Sequence, residues 1–478
     1  MNANLINLIP VRITFFLLSV FVLLFPALRL GYPILHGDSG VCIITGFEHF
    51  APIERPITYG LFIWVTSLSL SLWLVVFIQA VITTFVIYVF MSRVLKSKYL
   101  PILLFFTISI LSLTTSIGYF VCQIKPDFFL PLILLAFYSF LISNGKLTLV
   151  DAILGIIVMI GLLSHLSHLP ITTGLFLATL LLSLLFRKLR VDFFLRKYLM
   201  ILVFLLSAWM ITPSINYYYT GSFTLSRVSN IFSVSRLLQA GVFQKYVHDK
   251  CEEDSDFLLC KYVTEMDKYK TYHDFLWDNK SFLYDHECAT KDRQYCWIAR
   301  NEEFGIIVKD IYSHQKYLKM FTQDAIRMSV KQFFSFNIPE YASYQYHSYP
   351  MNMVQLYLPT DNNFLEDARQ NKESLTFPIQ NIVQLMVVLA SLGFIIFKII
   401  WKKGRCFKPK LILLGYMIIT LLIGNAMFVG IFVGISDRFQ SRLIWLIPLY
   451  TLILFFQSPG IKRWNMESDS FKSGVKHI

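Results

Sequence analysis

The sequence predicts an all-α polytopic membrane protein with about ten transmembrane helices and a mainly helical extracytoplasmic domain inserted between the seventh and eighth helices. The first observation is composition. The 478-residue chain is 55% hydrophobic and 15% charged, whereas soluble domains carry about 25% charged residues. The second is that apolar runs long enough to cross a bilayer core of about 30 Å recur along the chain. The third is one long polar segment, residues 214–377, which interrupts these runs.

The apolar runs predict the individual spans. No small-residue cleavage site follows the first run, Ile13 to Leu28, so we expect a retained transmembrane helix rather than a signal peptide. The stretch 57–92 is too long for one span, and its first part, 57–67, is expected to lie along the membrane interface. The predicted spans are 11–31, 68–92, 99–118, 127–143, 148–164, 169–186, 197–213, 379–400, 411–432 and 443–457.

The distribution of basic residues predicts the orientation. Alternate connections hold most of the basic residues, and the positive-inside rule places such connections in the cytoplasm. The rule predicts a multi-pass protein of the cytoplasmic (inner) membrane with both termini cytoplasmic. The basic connections hold Arg93, Lys96 and Lys98, then Lys146, then Arg187, Lys188, Arg190, Arg196 and Lys197, then Lys402, Lys403, Arg405, Lys408 and Lys410, and finally Lys462 and Arg463.

The net charge of +13 has the same origin. Residues 214–377 contain 18 Lys and Arg against 21 Asp and Glu, a net charge of −3, so the remaining segments carry +16. A basic excess in short loops between membrane helices indicates topology rather than a nucleic-acid surface. We therefore expect membrane lipids as partners and no nucleic acid.

Three parts follow from these boundaries. Residues 1–213 form an N-terminal transmembrane module whose first extracytoplasmic loop is 32–67. Residues 214–377 form the extracytoplasmic domain, which is long enough to fold on its own. Residues 378–478 form a C-terminal transmembrane module with a short cytoplasmic tail.

Four of the seven cysteines lie in the polar segment, at Cys251, Cys260, Cys288 and Cys296. An even number of cysteines outside the cytoplasm predicts two disulfides. Three pairings are open, and the local one, 251–260 with 288–296, closes the shortest loops. The alternative is four buried thiols. Zinc is disfavoured because no CxxC pair is present.

The loop "HGDSGVCIITGFEHFAPIERP" is the first candidate site, because it carries Asp38, Glu48, Glu54 and Arg55 between two apolar runs. Charges at membrane depth cost several kcal/mol unless they are paired or hydrated, so clusters of them are candidate functional sites. In the predicted topology, further ionisable groups share this outer face. They are Lys125, Asp127, His165, His168, Asp437, Arg438 and Arg442.

For some of these residues, the local sequence also suggests a purely structural role. Asp38 either acts in catalysis or caps the helix that follows it. Glu54 and Arg55 either serve the site or form a local ion pair. Lys125 and Asp127, in "KPD", either bind substrate or only begin a helix at the intervening proline.

The two remaining pairs have helical spacing. His165 and His168 lie at i, i+3, a spacing that can hold a metal, although a histidine pair without a third ligand is more typical of hydrogen-bonded structure. Arg438 and Arg442 lie at i, i+4 on one helix face. They could grip a phosphate bidentately or anchor the helix at the interface.

Several catalytic signatures are absent from the sequence. It contains no GxxxxGK[ST], no HExxH and no GxSxG, so a nucleotide-driven mechanism in the cytoplasm is unsupported. Any chemistry would use a substrate already present at the outer face.

The layout resembles the GT-C superfamily of integral membrane glycosyltransferases. The resemblance rests on "GDSG" and "GFEHFAPIERPITYGLFI" in the first extracytoplasmic loop, and on "IKPDFF" and "SDRFQSRLIWLIPL" at later helix ends. It covers residues 1–213 and 379–457. The superfamily often carries paired acidic residues, whereas Ser39 follows Asp38 here. The resemblance therefore does not establish a metal cofactor, and it leaves open whether a divalent cation binds.

The resemblance implies a sugar donor linked to a polyprenyl phosphate and a glycan, lipid or protein acceptor in the cell envelope. Asp38 would be the general base, and Glu54 and Arg55 would orient the loop or the sugar. The lipid phosphate would be stabilised by Arg438, Arg442 and Lys125, with Asp127, His165 and His168 as further substrate-binding candidates. Two alternatives remain: a transporter or flippase of a lipid-linked or anionic solute, and a non-catalytic envelope assembly factor that docks through 214–377.

Overall fold

The computed structural model describes residues 9–143, 147–192, 194–269, 271–284, 288, 293–345, 348–401 and 407–458. Across these residues the chain is all-helical, as predicted, with no strand and two isolated β-bridges, Ile34 with Gln123 and Tyr341 with Leu375. The predicted cytoplasmic tail, 459–478, lies outside the described residues. So do Lys146, Lys402, Lys403 and Arg405 of the predicted basic loops.

The helices follow one another with short connections. The N-terminal part contains α1 (Ile9–Leu23), α2 (Phe25–Leu30), α3 (Gly37–Glu48), α4 (Thr58–Ser67), α5 (Leu72–Leu95), α6 (Leu100–Thr114), α7 (Ile117–Val121), α8 (Phe129–Ile142), α9 (Leu149–Ser164), α10 (His168–Leu185) and α11 (Phe194–Thr220). The polar segment contains α12 (Ser229–Gln239), α13 (Val242–Glu253), α14 (Val263–Met266), α15 (Tyr272–Leu276), α16 (Arg293–Ser313), α17 (Gln315–Phe334), α18 (Ser348–Tyr357), α19 (Asn362–Asp367) and α20 (Arg369–Lys372). The C-terminal part contains α21 (Pro378–Trp401), α22 (Pro409–Phe432), α23 (Arg438–Ile444) and α24 (Leu446–Phe456).

Six described helices are long and apolar enough to cross a membrane, so the chain is membrane-embedded. They are α5, α10, α11, α21, α22 and the continuous run Arg438–Phe456 formed by α23 and α24. The other four predicted spans coincide with shorter apolar helices, α1, α6, α9 and the run Pro126–Ile142, which contains α8. Ten spans therefore remains a prediction for these four segments.

Local sequence signals set several of the helix ends. Ser71 caps α5 through its hydroxyl, which accepts from the Trp73 amide at 3.1 Å. Thr148 and Asp151 cap α9 reciprocally, because the Thr148 hydroxyl accepts from the Asp151 amide and the Asp151 carboxylate accepts from the Thr148 amide. The helix predicted to end at residue 213 continues through Pro213 to Thr220.

Two hydrophobic cores divide the polar segment differently from the predicted domain. The smaller core is built from the helices α12 to α17, with buried residues from Val228 to Phe321, and it also contains Ile53 of the first loop. Residues 335–377, here called the return segment, instead bury Ile338, Tyr341 and Phe377 in the larger core of the membrane helices. The predicted segment 214–377 therefore contributes residues to both hydrophobic cores.

The return segment clamps the first loop against the bundle. The buried carboxylate of Asp361 accepts hydrogen bonds from the Tyr32 hydroxyl at 2.5 Å and the Leu72 amide at 2.8 Å. The Gln370 side chain exchanges hydrogen bonds with both backbone groups of Leu35. Helix α18 also packs against α3. Because α3 begins at Gly37, two residues after Leu35, these contacts fix the position of its first turn.

The smaller core docks on the membrane helix α22. The buried Arg236 guanidinium donates to the Gly430 carbonyl at 2.7 and 3.0 Å and pairs with Asp324 at 2.7 Å. A Cβ at Gly430 would lie 2.6 Å from the backbone nitrogen of Ser329. Glycine at this position therefore permits close packing of α17 on α22.

The cysteines form one bridge among the described residues, not two. Cys251 and Cys260 are disulfide-bonded, with 5.6 Å between their Cα atoms. The predicted 288–296 bridge is wrong in this structure. The Cys296 thiol donates to the Cys288 carbonyl oxygen at 3.3 Å, and both side chains are buried as thiols.

Candidate functional site

His36, rather than Asp38, caps helix α3. The His36 ring Nδ1 accepts from the Asp38 amide at 3.2 Å, while the Ser39 hydroxyl accepts from the His36 amide at 2.9 Å. The same hydroxyl donates to the Ile124 carbonyl at 2.9 Å, which ties the helix start to the segment before α8. The N-cap alternative for Asp38 is therefore wrong, and its carboxylate is left for other partners.

The carboxylate of Asp38 lies among three cations from three separate segments. Lys125 Nζ is 2.7 Å from Oδ2, Arg438 Nη1 is 3.3 Å from Oδ2, and Arg55 Nη2 is 3.1 Å from Oδ1. The His36 ring nitrogen lies 3.6 Å from Oδ2 and 3.4 Å from Lys125 Nζ. We call these five residues the Asp38 cluster. The structure thus brings together ionisable groups that lie up to 402 positions apart in the chain.

The cluster is buried on one side and reaches solvent on the other. The Lys125 side chain is 3% exposed, whereas those of Asp38, Arg55 and Arg438 are 25, 21 and 20% exposed. A small polar group could therefore approach the carboxylate from the solvent side.

The charges in the cluster shift one another's ionisation. Burial favours the neutral acid at Asp38, but the charges of Arg55 and Lys125 outweigh it and hold the pKa of the carboxyl well below its usual range. Burial, followed by the charge of Arg438, lowers the pKa of the Lys125 ammonium. Burial and the nearby Lys125 charge also hold the pKa of His36 well below its usual value. The resting cluster therefore has a carboxylate, a neutral imidazole and an excess of positive charge.

Glu54 reaches the cluster only through Arg55. Its carboxylate lies 3.2 Å from Arg55 Nη2, the nitrogen that also contacts Asp38. Glu54 and Arg55 therefore form a local ion pair, and the same arginine also contacts Asp38.

Arg438 and Arg442 lie in different surroundings, since only Arg438 contacts Asp38. Arg442 is fully buried one turn further along α23, where it pairs with Asp127 and donates to the Asn425 side chain at 2.8 Å. Asn425 donates in turn to the Gln440 side chain at 2.9 Å. The i, i+4 spacing places both arginines on one face, but only the first reaches the solvent side. Asp127 and Arg442 therefore form a structural layer beneath the cluster.

The two histidines lie beside this layer, with His168 buried and His165 half-buried. Their ring centroids lie 5.1 Å apart in a stacked arrangement. His168 Nδ1 donates to the Gly161 carbonyl at 2.7 Å, and His165 Nδ1 accepts from the Ser167 amide at 3.1 Å. Burial, followed by the His168 neighbour, holds the pKa of His165 well below its usual value. These hydrogen bonds favour the structural interpretation over a metal pair.

The divalent cation that the sequence left open does not fit the resting cluster. Three cations already surround the Asp38 carboxylate, so an ion there would displace at least one of them. Elsewhere among the described residues, His248, Asp249 and Glu252 offer ligand atoms within 4.8 Å of one another. Asp249 is half-buried and already engaged by Lys245 at 2.8 Å, so this group indicates an ion-paired helix surface.

Two contributors were missed at the sequence level. His36 stood in the quoted loop, but its role as helix cap and neighbour of both Asp38 and Lys125 depends on tertiary contacts. Asp361 lies more than 300 residues from its partner Tyr32. The only sequence signal for it was an acidic residue followed by asparagines before a helix. Glu48, another acidic residue of the first loop, accepts from the Tyr357 hydroxyl at 2.6 Å and lies outside the cluster.

Comparison of the chain with protein-family models, with curated proteins and with solved structures finds no match. The chemistry of the Asp38 cluster therefore has to be argued from its own geometry and from the motifs quoted above.

Proposed function

We propose that the chain is a membrane glycosyltransferase of GT-C type, which moves a sugar from a polyprenyl-phosphate donor to an acceptor at the outer face of the cytoplasmic membrane. The observation that carries the proposal is the Asp38 cluster, in which one carboxylate faces Lys125, Arg55 and Arg438 at the edge of a membrane-embedded bundle. A carboxylate can serve as a general base, and cations can bind a phosphate. Both groups needed for this transfer therefore lie within ion-pair distance of each other.

The cations supply the phosphate site. Guanidinium groups bind phosphate oxygens through paired N–H donors, and Lys adds a compact charge. Arg438 and Arg55 are partly exposed, so a phosphate can reach their guanidinium groups from the solvent side. The lipid tail would lie in the bilayer along the apolar helices, while the phosphate and sugar would lie in the cluster.

Asp38 supplies the base. The acceptor hydroxyl oxygen attacks the anomeric carbon of the sugar, and the bond from that carbon to the phosphate oxygen breaks. The electron pair leaves with the lipid phosphate, whose charge Lys125 and Arg438 stabilise. The hydroxyl proton passes to the Asp38 carboxylate. Arg55, held by Glu54, orients the carboxylate from the opposite side.

Binding of the donor prepares the base. In the resting cluster the cations hold the pKa of Asp38 well below its usual range, which makes the carboxylate a weak proton acceptor. A bound phosphate shares the attraction of Lys125 and Arg438 and adds negative charge beside Asp38. Both effects raise the pKa of Asp38 towards a value at which it can accept a proton.

The proposed orientation of the protein in the membrane rests on the basic loops. At the end of the bundle opposite the cluster, Arg93 donates to the Ser139 carbonyl at 2.8 Å and Lys197 to the Leu141 carbonyl at 2.8 Å. Basic residues that seal the ends of membrane helices are typical of the cytoplasmic side. The cluster would then face outwards, towards envelope acceptors.

A binding measurement tests the phosphate site. Purified protein is titrated with polyprenyl phosphate and followed by native mass spectrometry. The Arg438→Gln variant should bind at least about 10-fold more weakly, because a charged hydrogen bond contributes about 1.5–3 kcal/mol. Arg369→Gln is the matched control, since Arg369 forms an exposed pair with Glu373 on α20. Equal affinity of the Arg438 variant and the unmodified protein would contradict the proposal.

A further inference from the structure

Helix α17 carries an exposed apolar stripe along its second half. Ile326, Val330 and Phe334 are spaced four residues apart and are 62, 56 and 70% exposed. This spacing places them on one side of the helix. On the same side of the first half, the exposed residues are Lys319 and Gln323. One helix face therefore changes from polar to apolar over about one turn.

The apolar half ends beside a helix that is apolar enough to span the membrane. The smaller core buries Phe321 near the start of α17, whereas Phe333 near its end packs on the core of the membrane helices. Just beyond the helix, the Phe336 carbonyl accepts from the Gln384 side chain at 2.6 Å. Gln384 lies six residues inside α21, which is about 9 Å along a helix that is apolar enough to span the membrane.

The neighbouring helices continue the same apolar surface. Helix α21 is the least buried of the six candidate spans, and α22 packs along α17. The exposed apolar side chains near the cluster end of these two helices are Ile379, Ile382, Met386, Met427 and Phe432. The stripe on α17 therefore lies beside a helix, α22, whose exposed surface is apolar as well.

The charges on this half of α17 are compatible with that environment. Arg327 and Lys331 are exposed, and Arg327 pairs with Asp324 on the preceding turn. Side chains on a helix point towards its N-terminus, which here is the end in the smaller core. Both charged groups can therefore extend towards water while their methylene stems cover apolar surface.

We propose that the second half of α17, from Ile326 to Phe334, is inserted into the lipid leaflet at the cluster end of the bundle. The partner of this surface is the acyl-chain and headgroup boundary of the bilayer. The helix crosses the membrane surface between Gln323 and Ile326. The part built on the smaller core is then held by lipid as well as by its contacts with α22. This inference goes beyond the proposed glycosyl transfer and does not depend on it.

Site-directed spin labelling in liposomes tests the insertion. Single cysteines are placed at Ile326, Val330 and Phe334, with Lys319 and Gln323 as controls on the same face, in a background carrying Cys406→Ser. Labels at the first three sites should be accessible to oxygen and protected from a water-soluble nickel complex. The controls should show the reverse pattern.

Two outcomes would overturn the inference. If the labels at Val330 and Phe334 are as accessible to nickel as the label at Gln323, the stripe faces water. If they are protected from both reagents, a protein surface rather than lipid covers the stripe. Neither outcome depends on catalysis or on correct identification of a sugar donor.

Discussion

At the residue scale, the proposed chemistry depends on the position of one carboxylate. Asp38 is the second residue of a helix capped by His36, so its side chain is not needed to cap the helix. It is instead held by Lys125, Arg55 and Arg438. Replacing it by Asn leaves these cations without their counter-charge. We therefore expect Asp38→Asn to lose some stability as well as activity.

The buried ammonium of Lys125 predicts a pH dependence of phosphate binding. Burial lowers its pKa, so the ammonium loses its proton at a pH below the value usual for lysine. Polyprenyl-phosphate affinity should fall as pH rises through that lowered pKa. Lys125→Arg, which stays charged, should retain affinity over the same range.

The contribution of Lys125 to folding stability changes with pH in the opposite direction to its contribution to phosphate affinity. Between the folded and unfolded pKa values of Lys125, the unfolded chain binds more protons, so this residue makes the folded state more stable as pH rises. A thermal melt followed over the same pH range therefore separates deprotonation from unfolding. A pH-independent affinity in the unmodified protein would contradict the role of Lys125.

At the element scale, close helix packing positions the part built on the smaller core. Helix α17 approaches α22 at Gly430, where a side chain would meet the backbone of Ser329. The Gly430 carbonyl is also the acceptor for the buried Arg236. One glycine thus joins the smaller core to the membrane bundle.

Gly430→Ala should separate these helices. We expect a loss of about 1–3 kcal/mol in the free energy of unfolding, because overpacking forces the backbone to shift. Gly424→Ala on the same helix is the control, since a Cβ there meets nothing within 4 Å. The control should be neutral or slightly stabilising, as alanine favours helix more than glycine does. Unfolding in detergent measures both variants, and equal effects would refute the packing argument.

The disulfide belongs to this scale as well. Paired Cys251→Ser and Cys260→Ser substitutions should destabilise the smaller core by about 2–3 kcal/mol, because the bridge closes a short loop in the unfolded chain. Peptide mapping without reductant should recover the 251–260 bridge. Cys288 and Cys296 should alkylate only after denaturation, since both are buried. Recovery of a 288–296 bridge would instead support the original sequence prediction.

At the scale of the whole molecule, apolar runs predict helices well because membrane segments hydrogen-bond internally and read as continuous hydrophobic sequence. The polar segment is harder, because its partition between two cores depends on individual side chains. Asp361 and Gln370 attach the return segment to the first loop, yet nothing in their local sequence identifies their partners.

The candidate site was predictable to a similar degree. Loop charges predicted which groups share one end of the bundle, and the structure places Asp38 with Lys125, Arg55 and Arg438. Spacing alone could not separate Arg438 from Arg442. The difference arises from Asp127 and Asn425, which hold Arg442 below the surface.

The central claim is that Asp38 is the base of a glycosyl transfer from a polyprenyl phosphate. The most direct test follows release of polyprenyl phosphate from a labelled polyprenyl-phosphate sugar, with purified protein added to detergent-solubilised envelope membranes that supply the acceptor. Rates are expressed per folded protein, and Glu373→Gln serves as a carboxylate-to-amide control in an exposed ion pair. We expect Asp38→Asn to reduce the rate at least about 100-fold while the control is unaffected. An undiminished rate in Asp38→Asn, or binding of the donor without any transfer by the unmodified protein, would contradict the account.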